Sequence, residues 1–248
     1  MNVSKSIMAD NRVVILAGGK GTRLRPFTAS FPKPLVPIGD QPILAILLSQ
    51  FAQQNFTNIT LALGHLSELI KAYIGEHKSL QERLTIDYVD EESPTGTAGS
   101  LSLISGLDDT FLVVNGDVLT DLDYNALLAA HKASGAALTV ASHQKELKID
   151  FGILEAGPDS IVTNYIEKPD NAYEVSMGVY VYEPRVLKYI EPGKYLDLPD
   201  LVHLLMAKGE QVGVYRNDAF WLDIGRPDDY ALAQELYEAD ASKFGGLR

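Results

Sequence analysis

The sequence contains no cysteine. This absence excludes disulfides, thiolate metal sites and a cysteine nucleophile, and it fits a reducing compartment. No apolar run approaches the roughly 20 residues that a membrane-spanning helix needs. The polar segment Met1–Asn11 also lacks the apolar core of a signal peptide. We therefore expect a cytoplasmic protein with no membrane partner, in which residues 1–12 form a loose N-terminal extension.

Basic residues are scarce as well. The chain has 21 Lys and Arg against 33 Asp and Glu, and its formal net charge of −12 argues against nucleic acid as a partner. A local basic cluster is therefore informative, and Lys20, Arg23, Arg25 and Lys33 form one with no acidic residue between them. The five histidines show no metal-ligand spacing, so we assign them no role.

A hydrophobic content of 46% in 248 residues is sufficient for one large α/β domain with a sizeable core. Periodic apolar patterns begin at Val13 and end near the last predicted helix. We predict a single domain over residues 13–239 and a frayed C-terminal tail over residues 240–248.

A glycine-rich loop follows the first predicted strand. Val13–Leu16 has the aliphatic composition of a buried strand, and Gly18, Gly19 and Gly21 follow it closely. Glycines allow successive backbone amides to converge on an anion, and cations just downstream supply the charge that a polyphosphate requires. We interpret the loop as a cradle for a triphosphate.

A glycine-rich loop of this kind has three other interpretations. A merely structural strand-to-helix turn is common in α/β proteins. A Walker A loop fits no window of the segment. A dinucleotide fingerprint has Leu24 where its third glycine should stand, and Pro26, Pro32 and Pro34 would break the helix that must follow. The dehydrogenase interpretation is therefore disfavoured.

Helix and strand patterns alternate after the loop. We predict helices over Pro42–Asn55 and Ser67–Gly75 and strands over Ile59–Leu63 and Leu84–Val89. This β–α–β–α–β order is typical of a doubly wound sheet, whose ligands bind at the carboxyl ends of the strands. Further along the chain, we predict strands over residues 111–115, 137–142, 151–155, 161–166, 175–182 and 212–215. We predict helices over residues 124–134, 201–208 and 228–238.

An aspartate stands at the end of the strand pattern Phe111–Asn115. Asp117 follows Gly116 there, where it could either hold a metal at the ligand-binding edge or cap the next element. Asp121 and Asp123 are better placed to begin the following helix.

The letters from residue 16 to residue 37 carry a specific resemblance. They read LAGGKGTRLRPFT, then PKPL at 32–35 and Pro37, which resembles the signature of the sugar-1-phosphate nucleotidylyltransferases. Phe27 in place of the usual leucine is the one substitution. The resemblance continues through Glu167-Lys168-Pro169, Ser176-Met177-Gly178 and Trp221–Gly225 to about Tyr237.

This resemblance implies a fold and a reaction. The fold is Rossmann-like, a mixed and mainly parallel twisted sheet flanked by helices (GT-A-like), with a small sugar-binding β subregion. Because no hexapeptide repeat follows, we expect a catalytic domain alone. The implied reaction transfers a nucleoside monophosphate from an NTP to a sugar 1-phosphate and releases pyrophosphate. Arg23, Lys33 and Asp117 would be catalytic, with Mg²⁺ held between Asp117 and Asp223.

The resemblance also implies two sets of binding residues. The nucleotide would contact Leu16, Ala17, Gly18, Gly19, Gly21, Thr22, Arg23, Glu91, Pro94, Gly96, Thr97 and Gly116. The sugar phosphate would contact Gly152, Glu167, Lys168, Ser176 and Gly178.

The choice of base depends on Glu91, which falls where uridylyl- and thymidylyl-transferring members carry glutamine; a different loop length would place Glu92 there instead. A carboxylate only accepts hydrogen bonds, and guanine offers two adjacent donors. The loop also resembles those of guanylyltransferases for mannose or heptose 1-phosphate, so GTP and such a sugar are favoured. The open alternatives are a uridylyl- or thymidylyltransferase for a hexose or amino sugar, and a non-catalytic nucleotide-sensing subunit. The sequence leaves open whether the chain forms a homo-oligomer.

Overall fold

The structure is a computed structural model, and it describes residues 12–244 apart from the side chains of residues 170, 242 and 243. Its helices are α1 (Ile43–Gln53), α2 (Ser67–Glu76), α3 (Lys78–Gln81), α4 (Gly96–Gly99), α5 (Tyr124–Ser134), α6 (Leu198–Ala207) and α7 (Pro227–Ala239). Its strands are β1 (Val13–Ala17), β2 (Pro37–Ile38), β3 (Gln41–Pro42), β4 (Asn58–Leu63), β5 (Thr85–Asp90), β6 (Phe111–Asn115), β7 (Val118–Thr120), β8 (Leu138–Lys148), β9 (Ile153–Ala156), β10 (Val162–Ile166), β11 (Asp170–Tyr182), β12 (Val212–Arg216) and β13 (Trp221–Asp223).

Within the described residues, seven strands form the central sheet in the order β12-β8-β11-β6-β1-β4-β5. All neighbouring strands are parallel except that β11 runs antiparallel to both β6 and β8. The prediction of a mixed, mainly parallel sheet flanked by helices is thus confirmed. The register places Leu16 of β1 opposite Ala62 of β4 and Asn115 of β6. The loops that follow β1 and β6 therefore emerge side by side at the carboxyl edge.

Strand β1 is buried on both faces of the sheet. Val13 and Ile15 pack into a cluster with Leu47 and Phe51 of α1, whereas Val14 packs into a second cluster with Leu201 of α6. Successive side chains of a strand point to opposite faces, which explains why the whole run is aliphatic. This double burial holds the glycine loop, which follows β1 directly, on a rigid element.

The strands β8 and β11 continue beyond the main sheet as a two-stranded ribbon, and the hairpin β9–β10 lies between them in sequence. The prediction ended β8 at Ser142, but the strand continues to Lys148. Residues 144–148 are exposed, so backbone pairing with β11 holds them without an alternating apolar pattern that sequence reasoning could detect. The ribbon and hairpin form the small β subregion. Phe151 and Leu154 are exposed on it.

Both predicted termini of the domain require a correction at one residue. Arg12 is not loose, because its Nη1 atom donates to Ser105 O at 2.7 Å and its carbonyl accepts from the Leu112 amide at 3.0 Å. Phe244 is not part of a frayed tail, since it is 2% exposed and its ring packs edge-on against Phe220. The predictions for residues 1–11 and 245–248 lie outside the described residues.

No helix in the range 12–244 combines the length and the apolar composition required to cross a membrane.

Candidate active site

The glycine loop folds back onto Lys33. Gly21 has a φ of +59°, and a Cβ there would lie 2.9 Å from Lys33 Cβ and 3.0 Å from Thr28 Cγ2. The hydroxyl of Thr28 donates to Gly21 O at 2.6 Å, which fixes this approach. Only glycine combines this backbone conformation with the absence of a side chain, so the third glycine of the loop is a requirement of the geometry.

Lys33 is buried and forms an ion pair with Asp117. It is 8% exposed, and its Nζ contacts Asp117 Oδ2. Short 3₁₀ turns replace the helix that a dinucleotide-binding fold would place after the loop, and one of them, Lys33–Leu35, begins just after Pro32. The prolines that disfavoured a dehydrogenase from sequence thus shape the segment that carries the lysine.

Asp117 and Asp223 are distant in sequence but adjacent in the structure. Asp117 lies between β6 and β7, and Asp223 ends β13, which pairs antiparallel with β7 so that Asp223 faces Val118. The Ile224 amide donates to Asp117 O at 3.0 Å. Burial raises the pKa of Asp223, and the negative charge of Asp117 raises it further. The two carboxylates therefore interact directly through their charges.

The two carboxylates fit a divalent cation. Asp117 Oδ1 is buried and has no hydrogen-bond partner among the described residues. A carboxylate oxygen in that position requires a cation or a donor to offset its burial. The described residues contain no group of three or more acidic, histidine or cysteine side chains that could hold a metal. A bound ion would therefore complete its coordination with substrate oxygens and water, as Mg²⁺ commonly does.

Arg23 adds positive charge beside the Asp117–Asp223 pair. The positions around Gly225 show this, because a Cβ built there would lie 3.1 Å from Asp223 Oδ2 and 3.5 Å from Arg23 Nη2. The charges of Lys33 and Arg23 both lower the pKa of Asp223, against the effects of burial and Asp117. Arg23 itself is exposed, as is Thr22 before it, so both remain accessible to a ligand.

A small pocket of about 50 Å³ marks where these elements meet. It is lined by Leu16, Ala17, Gly19, Lys33, Pro34, Gly116 and Asp117. A Cβ on Gly116 would lie 3.0 Å from Leu16 O. The absence of a side chain at Gly116 therefore lets the segment after β6 approach the end of β1 closely. All these residues belong to segments singled out from the sequence. A larger pocket of about 160 Å³, lined in part by Arg12, Asn58 and Thr110, lies at the amino ends of the strands, away from these groups.

Glu91 connects the loop after β5 to the glycine loop. Its Oε2 atom accepts hydrogen bonds from the Thr95 amide at 3.0 Å and the Thr95 hydroxyl at 2.8 Å. Its Oε1 atom would lie 3.0 Å from a Cβ on Gly18. One oxygen of the predicted base-reading carboxylate thus supports its own loop, while the other is turned toward Gly18. Pro94 in the same loop is exposed.

The segment 176–178 lies beside the carboxyl end of β6. Gly178 has a φ of +74°, and a Cβ there would meet the Asn115 side chain at 2.7 Å. Ser176 Oγ is 3.1 Å from the Tyr180 hydroxyl, and Trp221 Nε1 donates to Met177 O at 2.7 Å. Asn115 was predicted only as the end of a strand. Its position before Gly116-Asp117 is the sequence signal that could have marked it as a candidate site residue.

The other predicted sugar-binding residues, Gly152, Glu167 and Lys168, flank the hairpin strands, and two of them lie against Tyr165. The Tyr165 hydroxyl donates to Glu167 Oε2 at 2.8 Å, and it would lie 2.2 Å from a Cβ on Gly152. Lys168 is exposed and has a φ of +42°, which is unusual for a residue with a side chain. Their contact with a sugar phosphate stays a prediction.

Comparison with known proteins identifies the family. Residues 12–240 match the family described as Nucleotidyl transferase. The chain belongs to this family, which confirms the resemblance found in the sequence motifs.

The relatives differ in the base and sugar that their names specify. The chain is 33% identical over 88% of its length to UTP--glucose-1-phosphate uridylyltransferase of Synechocystis sp.. It is also 33% identical over 90% of its length to mannose-1-phosphate guanylyltransferase of Mycobacterium tuberculosis. These matches cover 61% and 64% of the two relatives, so the chain spans less than two thirds of their length.

Among solved structures, HddC from Yersinia pseudotuberculosis is similar over nearly its whole length. It is 26% identical, with a TM-score of 0.70, and the match covers 92% of this chain and 99% of that one. A second structure of HddC is complexed with GMP-PN, with a TM-score of 0.68 and 25% identity over the same shares of the two chains.

Proposed function

We propose that this chain is a sugar-1-phosphate nucleotidylyltransferase that transfers a nucleoside monophosphate from an NTP and releases pyrophosphate. One observation carries the proposal. Asp117 and Asp223 are brought together beside Lys33 and the glycine loop at the carboxyl edge of the sheet. Paired carboxylates with adjacent cations suit a reaction between two polyanions, and membership of the family supports the same chemistry.

In the proposed reaction, an oxygen of the sugar 1-phosphate attacks the α-phosphorus of the NTP in line. A new P–O bond forms, the bond from the α-phosphorus to the bridging oxygen breaks, and pyrophosphate leaves with the electron pair. The first task of the protein is to reduce charge repulsion, since unit charges ~4 Å apart repel by several kcal/mol at an effective dielectric near 20. The loop amides of Gly19–Thr22 and Arg23 would hold the β- and γ-phosphates.

Lys33 would move its charge from Asp117 to the α-phosphate as the transition state forms. Because the Lys33 side chain is buried, its ammonium stays close to where we propose that the α-phosphate binds. The reaction requires no protein nucleophile or general base. Asp117 and Asp223 would hold Mg²⁺, with Asp117 Oδ1 as one ligand. When bound, the ion supplies Lewis-acid stabilisation of the phosphate oxygens.

For the base we propose guanine, and for the sugar a mannose- or heptose-type 1-phosphate. Glu91 Oε1 is the carboxylate oxygen turned toward Gly18, where it could accept from the guanine donors. The relatives named as mannose-1-phosphate guanylyltransferases support this choice. Gly152, Glu167, Lys168, Ser176 and Gly178 would contact the sugar phosphate.

A uridylyl- or thymidylyltransferase is the second candidate, favoured by the similarity to the Synechocystis uridylyltransferase. A non-catalytic nucleotide-sensing subunit is disfavoured because the acidic pair and both lysines, Lys33 and Lys168, are present.

Pyrophosphate release tests the proposal. The purified chain should be incubated with each of the four NTPs and a panel of sugar 1-phosphates, with Mg²⁺ or with EDTA. We expect release only when an NTP, a sugar 1-phosphate and the metal are present, and fastest release with GTP. Asp228→Asn, a change at the exposed start of α7, serves as a matched control for Asp117→Asn and Asp223→Asn. Fastest release with UTP or dTTP would select the second candidate, and no release from any pair would reject catalysis.

A further inference from the structure

The loop that carries Glu91 is hydrogen-bonded to a segment that the sequence did not connect to the site. This segment, residues 194–198, is called the brace here. It lies between the 3₁₀ turn Pro184–Tyr189 and the start of α6. Its backbone pairs with the loop, because Leu196 N donates to Thr95 O at 2.8 Å while Leu196 O accepts from the amides of Ala98 and Gly99.

The contact is too close for side chains on the loop. Gly96 has a φ of +82°, and a Cβ there would lie 2.5 Å from Leu196 O. A Cβ on Gly99 would lie 2.7 Å from Lys194 O. Glycine is therefore required at both positions where the loop meets the brace, and of the two only Gly96 was predicted from the sequence as a nucleotide contact.

Asp197 closes the contact with its side chain. Its Oδ1 atom accepts from the Thr97 amide at 3.1 Å and from the Thr97 hydroxyl at 3.3 Å, while its Oδ2 atom accepts from the Tyr195 hydroxyl at 2.6 Å. The Thr97 hydroxyl oxygen also accepts from the Leu198 amide at 2.9 Å. The polar groups of Thr97 thus contact the brace, although its position in the motif suggested a direct contact with nucleotide.

We infer that Asp197 is a positioning residue that holds the loop 91–99, and with it Glu91, in the conformation that accepts the nucleotide. Two hydrogen-bonded contacts join the brace to the loop. Asp197 accepts from Thr97, and Leu196 donates to the carbonyl of Thr95, whose hydroxyl in turn donates to Glu91. The inference rests on the proposed function. Loss of the Asp197 side chain should therefore affect nucleotide binding and base preference, and not the chemical step.

Paired substitutions test the inference. Asp197→Ala removes both acceptors, Asp197→Asn retains one for Thr97, and Thr97→Val and Thr97→Ser form a second pair that spares Asp197. Asp200→Ala is the matched control, since Asp200 is exposed on the first turn of α6. The measurements are the Kd for GTP and UTP by calorimetry with Mg²⁺, and kcat and KM by pyrophosphate release.

We expect Asp197→Ala to raise the Kd and KM for the preferred nucleotide by about tenfold, as for a lost hydrogen bond to a charged group. kcat should change by less than about threefold, and the preference between GTP and UTP should narrow. Asp197→Asn and Asp200→Ala should stay close to wild type, and Thr97→Val should weaken nucleotide binding more than Thr97→Ser does. Wild-type KM in Asp197→Ala, or a fall in kcat at constant KM, would overturn the inference.

A failure of the proposed function would look different. If the wild type binds none of the NTPs, the function fails, and hydrogen–deuterium exchange of peptides covering 91–99 still tests the brace. Faster exchange of this loop in Asp197→Ala but not in Asp200→Ala would support the positioning role, and equal exchange would overturn it. If Asp197→Ala does not fold, the same comparison between Thr97→Val and Thr97→Ser decides the question.

Discussion

The ammonium of Lys33 is paired with the carboxylate of Asp117 beneath the glycine loop. The two residues are separated by 84 positions in the chain, and the loop that covers them is shaped by Gly21. In the free protein, the lysine thus offsets a carboxylate that we propose to be a metal ligand. The proposed reaction requires the same lysine at the α-phosphate.

Replacing Lys33 with Met should act mainly on kcat. The change removes a charge proposed to be used in the transition state, so kcat should fall by about 10² or more. Steady-state kinetics of pyrophosphate release provides the measurement. A mainly raised KM with kcat retained would reassign Lys33 to ground-state binding.

Gly21→Ala should destabilise the fold. A left-handed conformation costs a residue with a side chain about 1–2 kcal/mol, and the added methyl would also press on Lys33 and Thr28. Gly19→Ala is the matched control for stability, because a Cβ on Gly19 meets nothing within 4 Å. Urea denaturation should show a lower free energy of unfolding for Gly21→Ala alone. Equal losses in both variants would contradict this explanation of Gly21.

The sequence allows candidate site residues to be selected, but it does not predict how they are arranged in space. The spacing of glycines, prolines and cations around residues 16–37 predicts a phosphate-binding loop. This prediction is possible because each of those residue types affects the conformation or charge of its own segment of chain. The pairing of Lys33 with Asp117 and the pairing of β7 with β13 depend on long-range register, which leaves no local pattern. The brace was missed for the same reason, since Asp197 reads in sequence as the start of a helix.

Glu91→Gln should reduce any preference for guanine. The amide can still accept from Thr95 through its oxygen, but it then turns an N–H₂ donor toward Gly18, where the guanine donors would meet it. The ratio of kcat/KM for GTP over UTP should fall about tenfold or more, in line with one lost hydrogen bond to a charged group. Competition between the two nucleotides in one reaction measures this ratio. An unchanged ratio would mean that Glu91 supports the loop without reading the base.

His131 should make stability depend on pH. This histidine is 1% exposed, and its ring nitrogens contact the Thr139 hydroxyl at 2.7 Å and Glu183 Oε1 at 3.0 Å. Burial lowers the pKa of His131, and its hydrogen bond to the Glu183 carboxylate opposes that shift without reversing it. The unfolded chain therefore takes up this proton at a higher pH than the folded protein does.

The sign of the effect follows from this difference. The stabilisation is fully present above the ordinary histidine pKa of about 6.5, and it is lost as pH falls through the lower folded value. Each pKa unit of difference corresponds to about 1.4 kcal/mol. The Tm of the wild type should fall more steeply between pH 7 and about pH 5 than that of His131→Gln. Replacing the exposed His203 with Gln is the control, and parallel curves for wild type and His131→Gln would rule out His131 as the cause.

The binding of Mn²⁺, followed by electron paramagnetic resonance with a non-hydrolysable GTP analogue present, tests the shared metal site most directly. The wild type and the Asp228→Asn control should bind the ion, and both Asp117→Asn and Asp223→Asn should lose most of that binding while remaining folded. Retention of wild-type Mn²⁺ affinity in either of the two site variants would contradict a metal held between Asp117 and Asp223.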